Sequence, residues 1–239
     1  MKPILLIKTG STIPGIIPAH GDFEDWFAAA MGVTDLARVD VYLGEELPEH
    51  GEVEAVVVTG SKAMVSHRED WSEGTADWLR VALDMRVPIL GVCYGHQLLA
   101  HALGGEVGPN PKGREMGTVQ VVCEAEVAED PLFSAGPREF PVQATHLESV
   151  LAPPAGAGRL ARSELDENMI LRFGEHAWGV QYHPEFSAEV MREYIRRRAR
   201  DLREEALDPE VMLARVSETP VAGAVLEKFA RRYGSAKAA

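Results

Sequence analysis

The stretch VPILGVCYGHQLLA, residues 87–100, constrains the fold more than any other part of the chain. A short apolar run leads straight into Gly91-x-Cys93-x-Gly95, and a helical pattern starts at once. A strand-to-helix turn of this kind lifts a nucleophile clear of a sheet on a sharp, strained bend. A side chain at Gly91 or Gly95 would collide with the neighbouring strand or helix. The helix that begins near Tyr94 points its free N–H groups and positive dipole end at the sulfur, which stabilises negative charge there.

The rest of the chain supplies the sheet that such a turn needs. Ile4–Ile7, Val39–Leu43, Val53–Thr59 and Val87–Val92 are apolar, β-rich runs suited to strands covered on both faces. Helical spacing lies between them, in 22–31 and 71–85. The alternation predicts an α/β protein with a doubly wound, mainly parallel sheet flanked by helices. After Gly104-Gly105, apolar runs at 118–123, 139–144, 159–163, 168–173 and 177–182 follow more closely and predict an added antiparallel region. Gly174-Glu175 turns the hairpin between the last two. Ser187 then caps a helix reaching to about Ala206, Thr219-Pro220 starts another, and 235–239 fray. The expected organisation is one domain over 1–186 and a helical C-terminal extension over 187–239 packed on it.

A cysteine nucleophile needs a base, and the base needs a group to orient it. The segment GVQYHPEF at 179–186 offers both: a strand ends at His183, Pro184 stiffens the exit, and Glu185 lies close enough to accept from the ring. Cys93 is thus the candidate nucleophile, His183 the base and Glu185 the orienter. Oxyanion donors are expected at the Tyr94 N–H, just after the nucleophile, and at Gly60, where the strand 56–59 ends. His96 and His101 read as packing residues of the helix, and His20, His50, His67 and His176 as solvated. His146 is open between substrate pocket and structural hydrogen bonding, and Cys123 reads as a strand residue.

Composition excludes several alternatives. The chain of 239 residues carries a formal net charge of -13, which disfavours nucleic acid as a partner. No apolar run is long enough to span a bilayer, and the N-terminus reads as a first strand without a signal sequence. The two cysteines lie in unlike contexts, so a reducing, cytoplasmic setting is expected. Neither zinc-finger nor His-Glu-x-x-His spacing occurs, so no metal is expected.

Gly-Val-Cys-Tyr-Gly-His-Gln at 91–97 together with His-Pro-Glu-Phe at 183–186 resembles the class I (triad-type) glutamine amidotransferases, from the first strand to about Phe186. The resemblance implies a flavodoxin-like core and a triad of Cys93, His183 and Glu185. It implies oxyanion donors at Gly60 and Tyr94, and substrate contacts at Gln97, Ser61, Thr145, His146 and Leu147. Thr-His-Leu stands where the family often has Ser-His-Gly, and Ser61-Lys62-Ala63 where many members carry a Gly-Pro-Gly type loop. Met116-Gly117-Thr118, Ser163-Glu164 and Glu167-Asn168-Met169 look most like the stand-alone, GMP-synthase-like branch, which includes γ-glutamyl peptidases. With neither a phosphate-cradling Ser-Gly-Gly segment nor a Walker-type loop, the resemblance implies a chain without its own synthase domain. The expected chemistry is cofactor-free hydrolysis of the γ-amide of glutamine through a γ-glutamyl thioester, with ammonia passed to a separate acceptor enzyme. Hydrolysis of small γ-glutamyl conjugates is the alternative; a non-catalytic binding module is the third reading. Arg196-Arg197-Arg198-Ala199-Arg200 reads as a solvated helix face, or else as a docking patch for an acidic partner.

Overall fold

Side chains alternate from face to face along a strand, so an uninterrupted apolar run needs cover on both sides. In residues 4–7, Ile4 and Leu6 face one apolar layer while Leu5 and Ile7 face the other. The same division runs through Ala55–Val58, Ile89–Val92 and Ala177–Val180. The computed structural model, which describes residues 2–34 and 36–234, builds this pattern into one large twisted sheet.

In chain order the strands are β1 (Ile4–Lys8), β2 (Leu36–Asp40), β3 (Ala55–Val58), β4 (Ile89–Val92), β5 (Glu106–Pro109) and β6 (Glu115–Cys123). There follow β7 (Glu139–His146), β8 (Glu148–Ala152), β9 (Gly158–Arg162), β10 (Ile170–Arg172) and β11 (Ala177–Val180). The helices are α1 (Ile17–His20), α2 (Phe23–Met31), α3 (Asp70–Asp84), α4 (Tyr94–Ala102), α5 (Ala188–Arg197), α6 (Ala199–Glu204), α7 (Pro209–Arg215) and α8 (Pro220–Tyr233). The sheet order is β2-β1-β3-β4-β11-β10-β9-β6-β7, and β5 pairs with β8 separately. β2 through β11 pair in parallel; from β11 to β7 every pairing is antiparallel. The result is the mainly parallel, helix-flanked sheet with an antiparallel addition.

α3 and α4 cover one face of the parallel half, and α2, α5 and α8 cover the other. α2 is held by a reciprocal capping box between Asp22 and Asp25, which satisfies N–H groups that the first turn leaves free. Ser187 caps α5 by accepting from Val190 N at 3.2 Å.

Several local expectations are corrected. The expected strand over 39–43 ends at Asp40. The Asp40 N–H donates to Glu45 Oε2 at 2.7 Å, and Val41–Leu43 coil into a 3-10 turn. The helix expected to run unbroken to about Ala206 is interrupted at Arg198, and Ala206, at φ 61°, ends α6 in a left-handed turn. Thr219 starts α8 with its carbonyl, which accepts from Gly223 N, and its side chain makes no cap hydrogen bond. α7 was not expected, although Asp208-Pro209 carries its signal: Asp208 accepts from Glu210 N and Val211 N. The fraying expected at 235–239 lies outside the described residues.

Candidate active site

β4 runs out at Val92, and Cys93 turns the chain into α4 with φ 51° and ψ -100°. A non-glycine residue held there stores about 1–3 kcal/mol of strain and persists only where its surroundings enforce it. Cys93 N donates to Val180 O on β11 at 2.8 Å, and Gly95 N donates to Thr59 O beyond β3 at 3.1 Å. The close approach needs both flanking glycines. A Cβ on Gly95 would lie 2.5 Å from Val58 O, and one on Gly91 would lie 2.4 Å from Gly95 O.

Gly60 is the bridge to the second motif. A Cβ there would stand 2.8 Å from His183 Cε1 and 3.6 Å from Cys93 Cβ, so Gly60, the sulfur and the imidazole converge. Among the described residues neither the Gly60 N–H nor the Tyr94 N–H has an internal acceptor. Both remain available to an incoming oxygen.

His183 follows β11 and is tied to the antiparallel half, where its N–H donates to Gln143 O at 2.8 Å. Its Nδ1 donates to Glu185 Oε1 at 2.7 Å, and its ring stacks on Phe186 at 4.2 Å between centroids. Both His183 and Glu185 are buried. Burial by itself pushes the imidazole pKa down. The Glu185 carboxylate and the neighbouring Cys93 sulfur outweigh that and hold it up at about 10. The ring therefore keeps both protons through neutral pH.

A cleft of about 460 Å³ opens on the Cys93 side, lined by Tyr94, Gln97, residues 145–148 and Arg114. Thr145 O lies 4.0 Å from Cys93 Sγ. Gln97 Nε2 donates to Glu148 O at 2.7 Å and to Gln181 Oε1 at 3.0 Å, which leaves its Oε1 for a ligand. His146 lines the cleft, but both ring nitrogens are engaged, with Glu148 O at 3.0 Å and Glu115 Oε2 at 3.1 Å. Leu147 is fastened through its carbonyl, which accepts from Asn110 N at 2.8 Å. Ser61 donates to Thr9 O at 2.7 Å and accepts from Ala63 N at 3.1 Å, so its hydroxyl shapes the loop after Gly60.

The remaining histidines stand apart from the sulfur. His96 packs under Gly179 and against Phe173, and burial pushes its pKa down to about 4. His101 Nε2 meets Glu73 at 2.9 Å. No group of three His, Cys, Asp or Glu side chains among the described residues is placed to hold a metal ion. Among the described residues no helix is long and apolar enough to cross a membrane.

Sequence reading missed Arg198. In a run of arginines it looks solvated, and Arg196, Arg197 and Arg200 are indeed exposed and paired with Glu189, Glu193 and Glu204. Arg198 instead turns inward and lines the cleft. No sequence signal separates it from its neighbours.

The chain is 29% identical over 188 residues to gamma-glutamyl peptidase 5 of Arabidopsis thaliana, covering 75% of this chain and 74% of that one. It is 30% identical over 157 residues to the glutamine-hydrolyzing GMP synthase subunit of Methanococcus aeolicus, covering 63% and 77%. The fold superposes on a glutamine amidotransferase from Thermotoga maritima with a TM-score of 0.77 at 23% identity, over 99% of this chain and all of that one. The family model for class-I glutamine amidotransferases matches residues 34–202, and the chain belongs to that family.

Proposed function

We propose that the protein hydrolyses γ-glutamyl amides, glutamine being the simplest, through a thioester on Cys93. The observation that carries this reading is the convergence of Cys93 and His183 on Gly60, with Glu185 2.7 Å behind the ring.

The chemistry follows from the positions. The Cys93 sulfur, facing an imidazolium, attacks the γ-carbonyl carbon. The carbonyl electron pair moves onto oxygen, where the Gly60 and Tyr94 N–H groups receive it; one such donor is worth roughly 3–4 kcal/mol. As the C–N bond breaks, its electron pair goes to nitrogen, which takes the His183 Nε2 proton and leaves as the amine. Water then attacks the thioester and gives its proton back to His183. Glutamate departs and the sulfur is restored. Glu185 keeps the ring oriented throughout and offsets its positive charge. No step calls for a cofactor.

A second reading concerns the fate of ammonia. The related archaeal proteins are named as subunits of a GMP synthase. This chain would in that case pass ammonia from glutamine to a separate synthase. Glutamine turnover that rises at least tenfold on adding such a partner would support it.

The test of the central reading uses purified protein offered glutamine and γ-glutamyl dipeptides, with Cys93→Ala beside it. Turnover of at least one substrate is expected, falling by about 10⁴ or more in the variant. A diazoketone analogue of glutamine should label Cys93 stoichiometrically. No turnover together with no labelling would sink the proposal.

A further inference from the structure

Two cavities meet at the reacting pair. The cleft of about 460 Å³ lies on the Cys93 side. The other, about 550 Å³, lies on the His183 side against Ser11–Pro14, Phe23 and Tyr194. Ser61, Lys62, Thr145 and Arg198 line both and so form the wall between them.

The chemistry assigns a different part of the substrate to each. The acyl carbon must rest against the sulfur and the oxyanion donors, and the leaving nitrogen against the group that protonates it. The acyl chain therefore belongs in the first cavity and the leaving amine in the second. Ammonia is about the size of a water molecule, roughly 30 Å³. The second space opens to solvent and runs from His183 past Phe23 and Tyr194 to Ile13 and Pro14, which is more room than ammonia alone requires.

The second cavity is held in shape. Asp22 accepts from Thr12 N at 2.8 Å, from Lys8 Nζ at 2.8 Å and from the Ser11 hydroxyl. Thr12 and Tyr194 share a hydrogen bond of 2.6 Å between their hydroxyls. Ile13, Pro14 and Phe23 give it apolar surface.

Its dividing wall carries a guanidinium that is not ion-paired. Arg198 is half-buried, its Nε is buried without a partner, and among the described residues no carboxylate lies within ion-pair distance of it. Its neighbour Arg114 is satisfied by Glu205, at 2.6 and 2.8 Å. This holds in a chain with 37 acidic and 24 basic residues, where surplus carboxylates abound. Asp201 and Glu205 act on Arg198 only from beyond ion-pair distance; a half-buried guanidinium without an ion pair is costly, and a substrate carboxylate would relieve that cost.

We propose that the cavity beside His183 is a leaving-amine subsite, and that the substrate is a γ-glutamyl amino acid or short γ-glutamyl peptide. The α-carboxylate of its leaving residue is read by Arg198, and its apolar side chain rests on Ile13 and Pro14. The inference rests on the γ-glutamyl amide reading above. The carboxylate of such a leaving group sits next to the scissile nitrogen and hence near the dividing wall. The acyl α-carboxylate sits at the far end of the acyl chain. The overall reaction consumes one water: the γ-carbonyl–nitrogen bond breaks, the amino acid leaves protonated by His183, and glutamate is released.

The experiment measures kcat/KM for three substrates: glutamine, γ-glutamyl-leucine, and γ-glutamyl-3-methylbutylamide, which has the same leaving group without its carboxylate. The protein is expected to favour γ-glutamyl-leucine at least tenfold over each of the others. Arg198→Met should cut the preference over the carboxylate-free amide tenfold or more, and Ile13→Trp should lower the γ-glutamyl-leucine to glutamine ratio. Equal turnover of the two larger amides by the unaltered protein overturns the proposal, and needs no variant to fold. So does Arg198→Met lowering all three substrates by one factor, which would place Arg198 at the acyl carboxylate. Glutamine turnover with no preference for the dipeptide sinks this inference and leaves the hydrolase reading standing. Absence of any turnover and of Cys93 labelling overturns both.

Discussion

The parallel and antiparallel halves of the sheet contribute different things to the site. The parallel half ends in the groups proposed to react: Gly60 beyond β3, Cys93 beyond β4 and His183 beyond β11. Each is placed by backbone, through a strand end, a strained turn or a missing Cβ. The antiparallel half ends in residues 145–148, where β7 passes into β8; the backbone there is held by the ladder and by Asn110 N, and the His146 ring is fixed by side chains. Glu115 joins His146 at 3.1 Å and receives the Ser163 hydroxyl at 2.7 Å. Backbone placement resists displacement, since moving one atom means moving a strand. Side-chain placement can change without dismantling the fold. On the reading proposed above, the reaction rests on the strand ends of the parallel half, and the acyl end of the substrate meets residues 145–148 of the other half.

Three substitutions probe that division, in falling order of expected effect. Glu185→Gln removes the carboxylate that holds His183 up at about 10. A raised imidazole is protonated below its pKa and loses its proton above it. The step that needs a proton on the leaving nitrogen is therefore present up to about pH 10 and lost beyond. In Glu185→Gln that alkaline limb should move to lower pH, and kcat/KM should fall by about 10²–10⁴. An unmoved limb would mean that another group sets the ring's protonation. Gly60→Ala puts a carbon 2.8 Å from His183 Cε1 and should lower kcat about 10²-fold, with little change in melting temperature. Glu115→Gln, in the other half, should destabilise by about 1–3 kcal/mol in urea titration and raise KM a few-fold while kcat stays near its original value. If Glu115→Gln depressed kcat as Glu185→Gln does, the two halves would not divide reaction from recognition.

The same contrast explains what the sequence revealed. Cys93 was legible because its turn is local: strand, two glycines and helix all lie within 87–100. His183 and Glu185 were legible for the same reason, two residues apart at a strand end. Gly60 could be picked out as the glycine closing an apolar strand, though its tight approach to His183 required coordinates. β5 and β8 were not foreseen, being short strands that pair only with one another. Arg198 was hidden by its arginine neighbours. Only the interruption between α5 and α6, where its φ is -98° and ψ 8°, separates it from them. The role of His146 stayed open until its two acceptors were seen, because hydrogen-bond partners distant in sequence leave no periodic trace.

The bend at Cys93 also bears on the life of the newly made chain. One of the bonds that enforce it comes from Val180, far downstream, so the left-handed turn cannot be locked until β11 has docked. A ribosome-bound fragment ending at α4 would contain Cys93, Gly60 and Tyr94 but lack the Val180 carbonyl, His183 and Glu185. On the proposed reading, the thiol would gain its base only once the last parallel strand is in place.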